Sequence, residues 1–155
     1  MTTVTRTLCL AAAVAALFAA CGPPPYSMEL PDELRRFEES DDYKLITADG
    51  VMVKAREVEN YPEATLDFWV DALERHLVAQ GYVLDSNECF ETDGGREACT
   101  LDFLLPHGAD DWVLSTTLML VDDEILLLEA AGPYDRFAEV EESLDAALRT
   151  FDPGN

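Results

Sequence analysis

The chain has 155 residues, which is the size of one folded domain. Its 32 acidic and 10 basic residues give a net charge of -22, but 48% of the residues are hydrophobic, and this share separates the chain from disordered acidic proteins. Phosphates bind to basic surfaces, and only two of the residues are lysines. We therefore expect no nucleic-acid partner, and an anionic membrane surface is also disfavoured.

The amino-terminal residues 1–20 have the pattern of a secretory signal peptide. Arg6 precedes an apolar run over residues 8–20, and the whole span contains no acidic residue. The run is too short to cross a membrane, which takes about 20 apolar residues. We therefore expect the chain to be exported and residues 1–20 to be removed, which takes the net charge from -22 to -23 because Arg6 leaves.

The end of this span resembles the lipobox of bacterial lipoproteins, because small residues immediately precede Cys21 and Gly22 follows it. The resemblance implies that the Cys21 thiol and the new amino terminus are acylated, with palmitate as an expected chain, and that a Gly after the Cys directs the protein to the outer membrane. Phe18 stands where the family prefers Leu, and Leu17 lies one position earlier. Several acyl chains would anchor the protein firmly, since each buried methylene contributes about 0.8 kcal/mol. Ordinary secretion with cleavage near Ala20 is the alternative.

Cys89 and Cys99 are the cysteines that remain when Cys9 leaves with the signal peptide and Cys21 carries lipid. An even pair in an oxidising compartment indicates a disulfide. If residues 93–95 form a three-residue hairpin loop, the two cysteines stand directly opposite each other, at the spacing that a disulfide needs when the pair is of the non-hydrogen-bonded kind. A two-residue loop would put them out of step.

Residues 21–42 are predicted to form a spacer between the lipid and the domain. Three prolines follow Cys21 and Gly22, a short helix is expected over residues 30–37 with Pro31 at its first position, and the segment ends in an acidic loop. We place the domain at residues 43–152 and a tail at residues 153–155.

The domain is predicted to contain about six strands and two helices in the order ββα-ββββ-α. Apolar residues at helical spacing indicate the helices, and apolar runs between Gly, Pro and Asp turns indicate the strands. The predicted strands are residues 43–48, 51–58, 82–91, 96–105, 112–121 and 125–131. The predicted helices are residues 62–80 and 135–151. Short connections make neighbouring strands antiparallel, so the fold class is α+β.

Two of these strands are apolar throughout, at residues 118–121 and 125–128. A strand with one face in water would alternate between apolar and polar residues. We therefore expect both strands to be central in an antiparallel sheet that helices cover on both faces.

This order of elements resembles the PsbP-like superfold, which includes bacterial lipoproteins of the LpqN and DcrB kind. The resemblance covers residues 43–152 and rests on packing and turn signals at residues 48–51, 66–69, 81–82 and 147–151. It implies a PsbP-like sandwich whose role is binding or assembly.

Sequence patterns for catalysis are missing. His76 and His107 do not have the spacing of zinc ligands, and no G-x-S-x-G motif surrounds a serine. We interpret His76 as a half-buried packing residue at the edge of the first helix and His107 as a loop residue. We expect no enzymatic activity, no catalytic residues and no cofactor.

Acidic clusters are the remaining candidates for a site. Calcium needs several convergent oxygen ligands, and no D-x-D-x-D-G loop is present, so no metal is predicted. The residues that come nearest to a metal site are Asp110, Asp111, Asp122, Asp123 and Glu124. We interpret them as a solvated surface.

The leading hypothesis is a non-catalytic envelope lipoprotein that is held at a membrane by its lipid. Its acidic domain would bind a protein partner or a small ligand through one surface of the sandwich. The alternative is a module that binds a cation or a small ligand with its acidic loops, and the third hypothesis is an envelope enzyme.

Overall fold

The computed structural model describes residues 26–36, 44–107 and 110–154. Within these residues the helices are α1 (Leu66–Ala79), α2 (Tyr134–Ala138) and α3 (Glu141–Arg149). The strands are β1 (Arg35–Arg36), β2 (Lys44–Ile46), β3 (Met52–Glu59), β4 (Val83–Glu91), β5 (Glu97–His107), β6 (Asp110–Val121) and β7 (Glu124–Pro133).

All seven strands form one antiparallel sheet in the order β1-β2-β3-β7-β6-β5-β4. The predicted α+β class and antiparallel sheet are therefore confirmed. The sheet has seven strands where about six were expected, because the described part of the segment predicted as a helix over residues 30–37 forms a turn and β1. Isolated helices of this length are marginal in water. The observed turn instead buries Leu34, which is 2% exposed, against the sheet.

The first helix begins later than predicted. It starts at Leu66 and not at Pro62, because Thr65 is the N-cap and its hydroxyl accepts a hydrogen bond from the Phe68 N–H at 3.4 Å. Asn60 fixes the preceding loop through bonds to the Ala64 backbone at 3.1 and 3.2 Å. Its side-chain oxygen also accepts a bond from the indole N–H of Trp69 at 2.7 Å, which ties the first turn of α1 to the end of β3.

The predicted second helix is divided into α2 and α3. A tight turn separates the two helices at Val140, whose N–H donates to the Phe137 carbonyl at 3.0 Å. The side chains of both residues are buried in the core. Phe151 follows α3 and is 1% exposed, against the Tyr26 ring. Residues 26–36, which the sequence assigned to the spacer, thus include side chains that pack on the domain.

The two apolar strands are central, as predicted, because β7 is fourth of the seven strands and β6 lies beside it. Leu126 and Leu128 of β7 belong to the core beneath α3. Leu127, between them, belongs to the core beneath α1 together with Leu118 of β6. We call these two sides of the sheet the α3 face and the α1 face.

The predicted disulfide between Cys89 and Cys99 is present, and the two residues are paired directly across β4 and β5. The Thr92 N–H donates to the Arg96 carbonyl at 2.8 Å, and this closes the three-residue loop, in which Gly95 has φ +76°. Alternation along the ladder makes the cysteines a non-hydrogen-bonded pair, with 4.0 Å between their Cα atoms.

Several predictions fall on other parts of the chain. The signal peptide, the lipid site at Cys21 and the acidic loop at residues 38–42 lie outside the described residues. Among the residues that the structure does describe, no helix is long and apolar enough to cross a membrane.

The disulfide predicts a stability difference. Replacing Cys89 and Cys99 together by Ala should lower the free energy of unfolding by about 2–3 kcal/mol. The bridge closes a short loop and so reduces the conformational entropy of the unfolded chain, and the double variant loses this effect. Urea unfolding measures the loss. The control is the reduced wild-type protein, which should unfold at the same urea concentration as the double variant. Ready alkylation of both cysteines in the native, unreduced protein would contradict the bridge.

Candidate binding groove

Helix α1 covers only part of its face of the sheet, because it packs on β4, β5 and β6. A helix is about 10–12 Å wide with its side chains, whereas strands lie about 4.8 Å apart. One helix therefore cannot cover seven strands. Within the described residues, the α1 face of β2 and β3 has no helix above it.

Strand register fixes the side chains on this uncovered area. Ile46, Met52, Ala131 and Leu114 form one row across β2, β3, β7 and β6. Met52 is 54% exposed even though it lies among apolar neighbours. On β2, β3 and β7 this row is an apolar surface that no described helix covers, and Leu114 joins it to the edge of the core beneath α1.

The next row of the same face is charged. Lys44 pairs with Lys54, and Lys54 pairs with Glu129. Together the two rows enclose a depression of about 330 Å³, which we call the β3 groove. Its lining includes Lys44, Met52, Lys54, Leu114, Glu129 and Ala131.

Glu129 organises the charges at the groove. Its carboxylate accepts hydrogen bonds from Arg56 Nε at 3.1 Å and Arg56 Nη2 at 3.2 Å, and Lys54 Nζ lies 3.1 Å from the same carboxylate. Burial raises the pKa of Glu129, but the hydrogen bonds and charges of Arg56 and Lys54 outweigh it, and the net pKa lies below its ordinary value. One ionised carboxylate thus holds two cations, which leaves the cluster with a positive charge.

Half of the basic residues of the chain lie in the three strands at this side of the sheet. Strands β1, β2 and β3 contain five basic residues and two acidic ones, in a chain whose net charge is -22. Four of the basic residues occupy α1-face positions, whereas Arg36 pairs with Leu45 of the core beneath α3; the four are Arg35, Lys44, Lys54 and Arg56. The expectation from composition, that anionic surfaces are disfavoured, therefore does not describe this region.

The acidic residues considered as metal candidates do not form one site. Asp110 and Asp111 begin β6, whereas residues 122–124 form the turn at its other end, roughly 36 Å away along a strand of this length. Asp110 and Asp111 line an open depression of about 460 Å³ with Asp49 and Asp135. Among the described residues, no three His, Cys, Asp or Glu side chains are grouped as metal ligands.

His76 is not among the described residues that line the groove. His76 is exposed near the end of α1, where its ring contacts the Gln80 side chain, so the prediction of a half-buried packing residue was wrong. The predicted packing position failed because Leu77, the next residue, is the one that faces the core. His107 is the last residue of β5 and pairs with Asp110, so the prediction of a loop residue was wrong; its side chain is not among those that the structure describes.

A smaller cavity on the α3 face differs from the β3 groove because its walls are acidic. Ser86, Asp102 and Asp145 lie beside it, and its volume is about 50 Å³. Burial raises the pKa of Asp145, and the nearby charge of Asp102 raises it further. Three carboxylates outnumber the one cation, Arg149, in its lining, so this cavity disfavours anions.

Comparisons with known proteins agree with this architecture. No protein-family model matches the chain, and no curated protein matches its sequence. Among solved structures, the cyanobacterial PsbP protein CyanoP from Synechocystis aligns at 15% identity and a TM-score of 0.59, over 83% of this chain and 86% of its own. The chain has the PsbP-like fold.

Two further structures share this fold. LpqN of Mycobacterium tuberculosis, which is involved in cell envelope biogenesis, aligns at 12% identity and a TM-score of 0.62, over 86% of each chain. A protein of unknown function from Pseudomonas aeruginosa, PA94, a putative regulator, aligns at 15% identity and a TM-score of 0.60, over 79% of this chain and 94% of its own. At these identities the likeness is one of fold, and fold does not fix function.

Proposed function

We propose that the chain is a non-catalytic binding module of a bacterial cell envelope, exported and anchored through lipid on Cys21. Its PsbP-like domain would bind through the β3 groove. The observation that carries this proposal is an apolar depression with a basic edge in a strongly acidic chain. One neighbour in fold, LpqN, is involved in cell envelope biogenesis, which supports the envelope setting.

The chemistry of the groove favours binding over catalysis. Its described lining offers one carboxylate, that of Glu129, which is already bonded to Lys54 and Arg56. The hydrogen bonds and charges of these two cations hold the pKa of Glu129 below its ordinary value, which makes its carboxylate a weak base. The lining that the structure describes contains neither a cysteine nor a hydroxyl that could act as a nucleophile.

An uncovered apolar row also needs a physical explanation. Met52 lies on the α1 face, where it exposes an apolar side chain to water beside charged neighbours. Exposed apolar area that adjoins a concave surface is typical of binding sites. The volume of about 330 Å³ falls within the range of small-ligand sites.

Lipid anchoring is testable at one residue. Replacing Cys21 by Ser should abolish incorporation of labelled palmitate and move the protein out of the membrane fraction, since the lipid supplies the anchor. Cys9→Ser is the matched control, because this cysteine lies within the predicted signal peptide and should leave labelling unchanged. Unaltered membrane partitioning of the Cys21→Ser protein would refute the anchor.

Binding through the groove is testable by oxidation of methionine in the native envelope. If the groove is occupied there, hydrogen peroxide should oxidise Met52 several-fold more slowly in isolated membranes than in the purified protein. Met28, which is partly buried outside the groove lining, serves as the internal reference. An equal ratio of Met52 to Met28 oxidation in both samples would show an empty groove and contradict the proposed function.

A further inference from the structure

We propose that the ligand of the β3 groove is a free single-chain amphiphile with an anionic end, such as a fatty acid. This inference rests on the proposed function and names the chemical class that the groove selects. It follows from the floor of the groove, its basic edge and the use of its backbone, taken in turn.

The floor is suited to an alkyl chain. Met52, Leu114 and Ala131 lie in one row across three strands, and the row runs perpendicular to the strand direction. An extended apolar chain lying along this row would contact all three side chains. Each methylene that leaves water contributes about 0.8 kcal/mol, so the affinity of the floor should rise with the length of the alkyl chain.

The edge is suited to an anion. Arg56 uses two N–H groups on Glu129, and Lys54 makes one short contact with the same carboxylate. A guanidinium has five N–H donors and an ammonium three, so both groups keep donors for a second carboxylate. Glu129 holds the two cations in place, which lowers the entropy cost of presenting them to a ligand.

The backbone of the groove argues against a peptide as the occupant. Residues Lys44–Ile46 of β2 and their partners in β3 are paired in the ladder, and β3 is paired with β7 along its whole length. A peptide that binds by strand addition needs an unpaired strand edge, whereas this surface is the face of the sheet. What remains is apolar contact plus charge, which is the chemistry of an amphiphile.

The rest of the surface strengthens the choice of an anion. A net charge of -22 repels anions over most of the molecule, so an anionic ligand is directed to the basic strands. A cationic amphiphile would have the whole acidic surface available and would show no preference for the groove. Charge therefore gives the site its specificity.

The test titrates purified protein that lacks residues 1–21 with decanoate below its micelle concentration, followed by the NMR signals of the methionine methyl groups. Decanoate should bind saturably and shift the signal of Met52 while leaving that of Met119, which is 0% exposed, unchanged. Decyltrimethylammonium and decyl maltoside, which have the same chain length without the negative charge, should bind at least about tenfold more weakly, a difference of about 1.4 kcal/mol.

Two variants separate the floor from the edge. Met52→Glu places a negative charge on the floor and should abolish binding of decanoate. The triple change Lys54→Gln, Arg56→Gln and Glu129→Gln removes the charges together, so no unpaired carboxylate remains buried, and it should weaken binding about tenfold. Arg75→Gln is the matched control, since Arg75 pairs with Asp71 on α1 outside the groove lining.

Other outcomes overturn the inference. Equal affinity for the cationic or neutral amphiphile, or a triple variant that binds as well as the wild type, would exclude an anion-selective site. Binding to anionic phospholipid vesicles without binding to monomeric decanoate would identify the occupant as a membrane surface. If decanoate fails while Met52 is still protected in isolated membranes, the ligand class is wrong and the proposed binding function stands.

Discussion

The structure depends on one constraint: its two central strands are apolar on both faces and must be covered on both. Leu126 and Leu128 face α3, while Leu118 and Leu127 face α1. A sheet of seven strands is about 29 Å wide, and a single helix covers little more than a third of that width. The described helices therefore cover only part of the sheet, and the part that they leave uncovered decides where the molecule can bind.

The α3 face is more fully covered because several segments share it: α2, α3, the residues around Tyr26 and Leu34, and Phe151 after the last helix. On the α1 face, helix α1 lies over β4, β5 and β6, and no other helix of the described ranges lies over β2 and β3. There the side chains of Lys54 and Arg56 are about half exposed, so their charges stay near water, as is usual for such residues. The apolar floor and the basic edge of the groove thus have the same cause, which is that no described helix lies over β2 and β3.

Much of this fold could be predicted from the sequence because local signals agreed with tertiary ones. The loop at residues 93–95 set the register that pairs Cys89 with Cys99, and the unbroken apolar runs marked the central strands. The segment at residues 30–37 failed because its fate depends on burying Leu34 against distant strands. The groove was missed because the net charge is a sum over the whole chain and does not show that strands β1, β2 and β3 are locally basic. A signal did exist, since the Asp49-Gly50 turn places Lys44 opposite Lys54, and these are the only lysines in the sequence.

The central claim is that the α1 face is open at β3, and the methionines test it directly. The mature chain would contain Met28, Met52 and Met119, so selective carbon-13 labelling of their methyl groups gives three signals. A soluble gadolinium complex should broaden the Met52 signal most and that of Met119 least, since their exposed fractions are 54% and 0%. If Met52 proved as well protected as Met119 in the purified, ligand-free protein, the face would be closed and the account of the groove would be wrong.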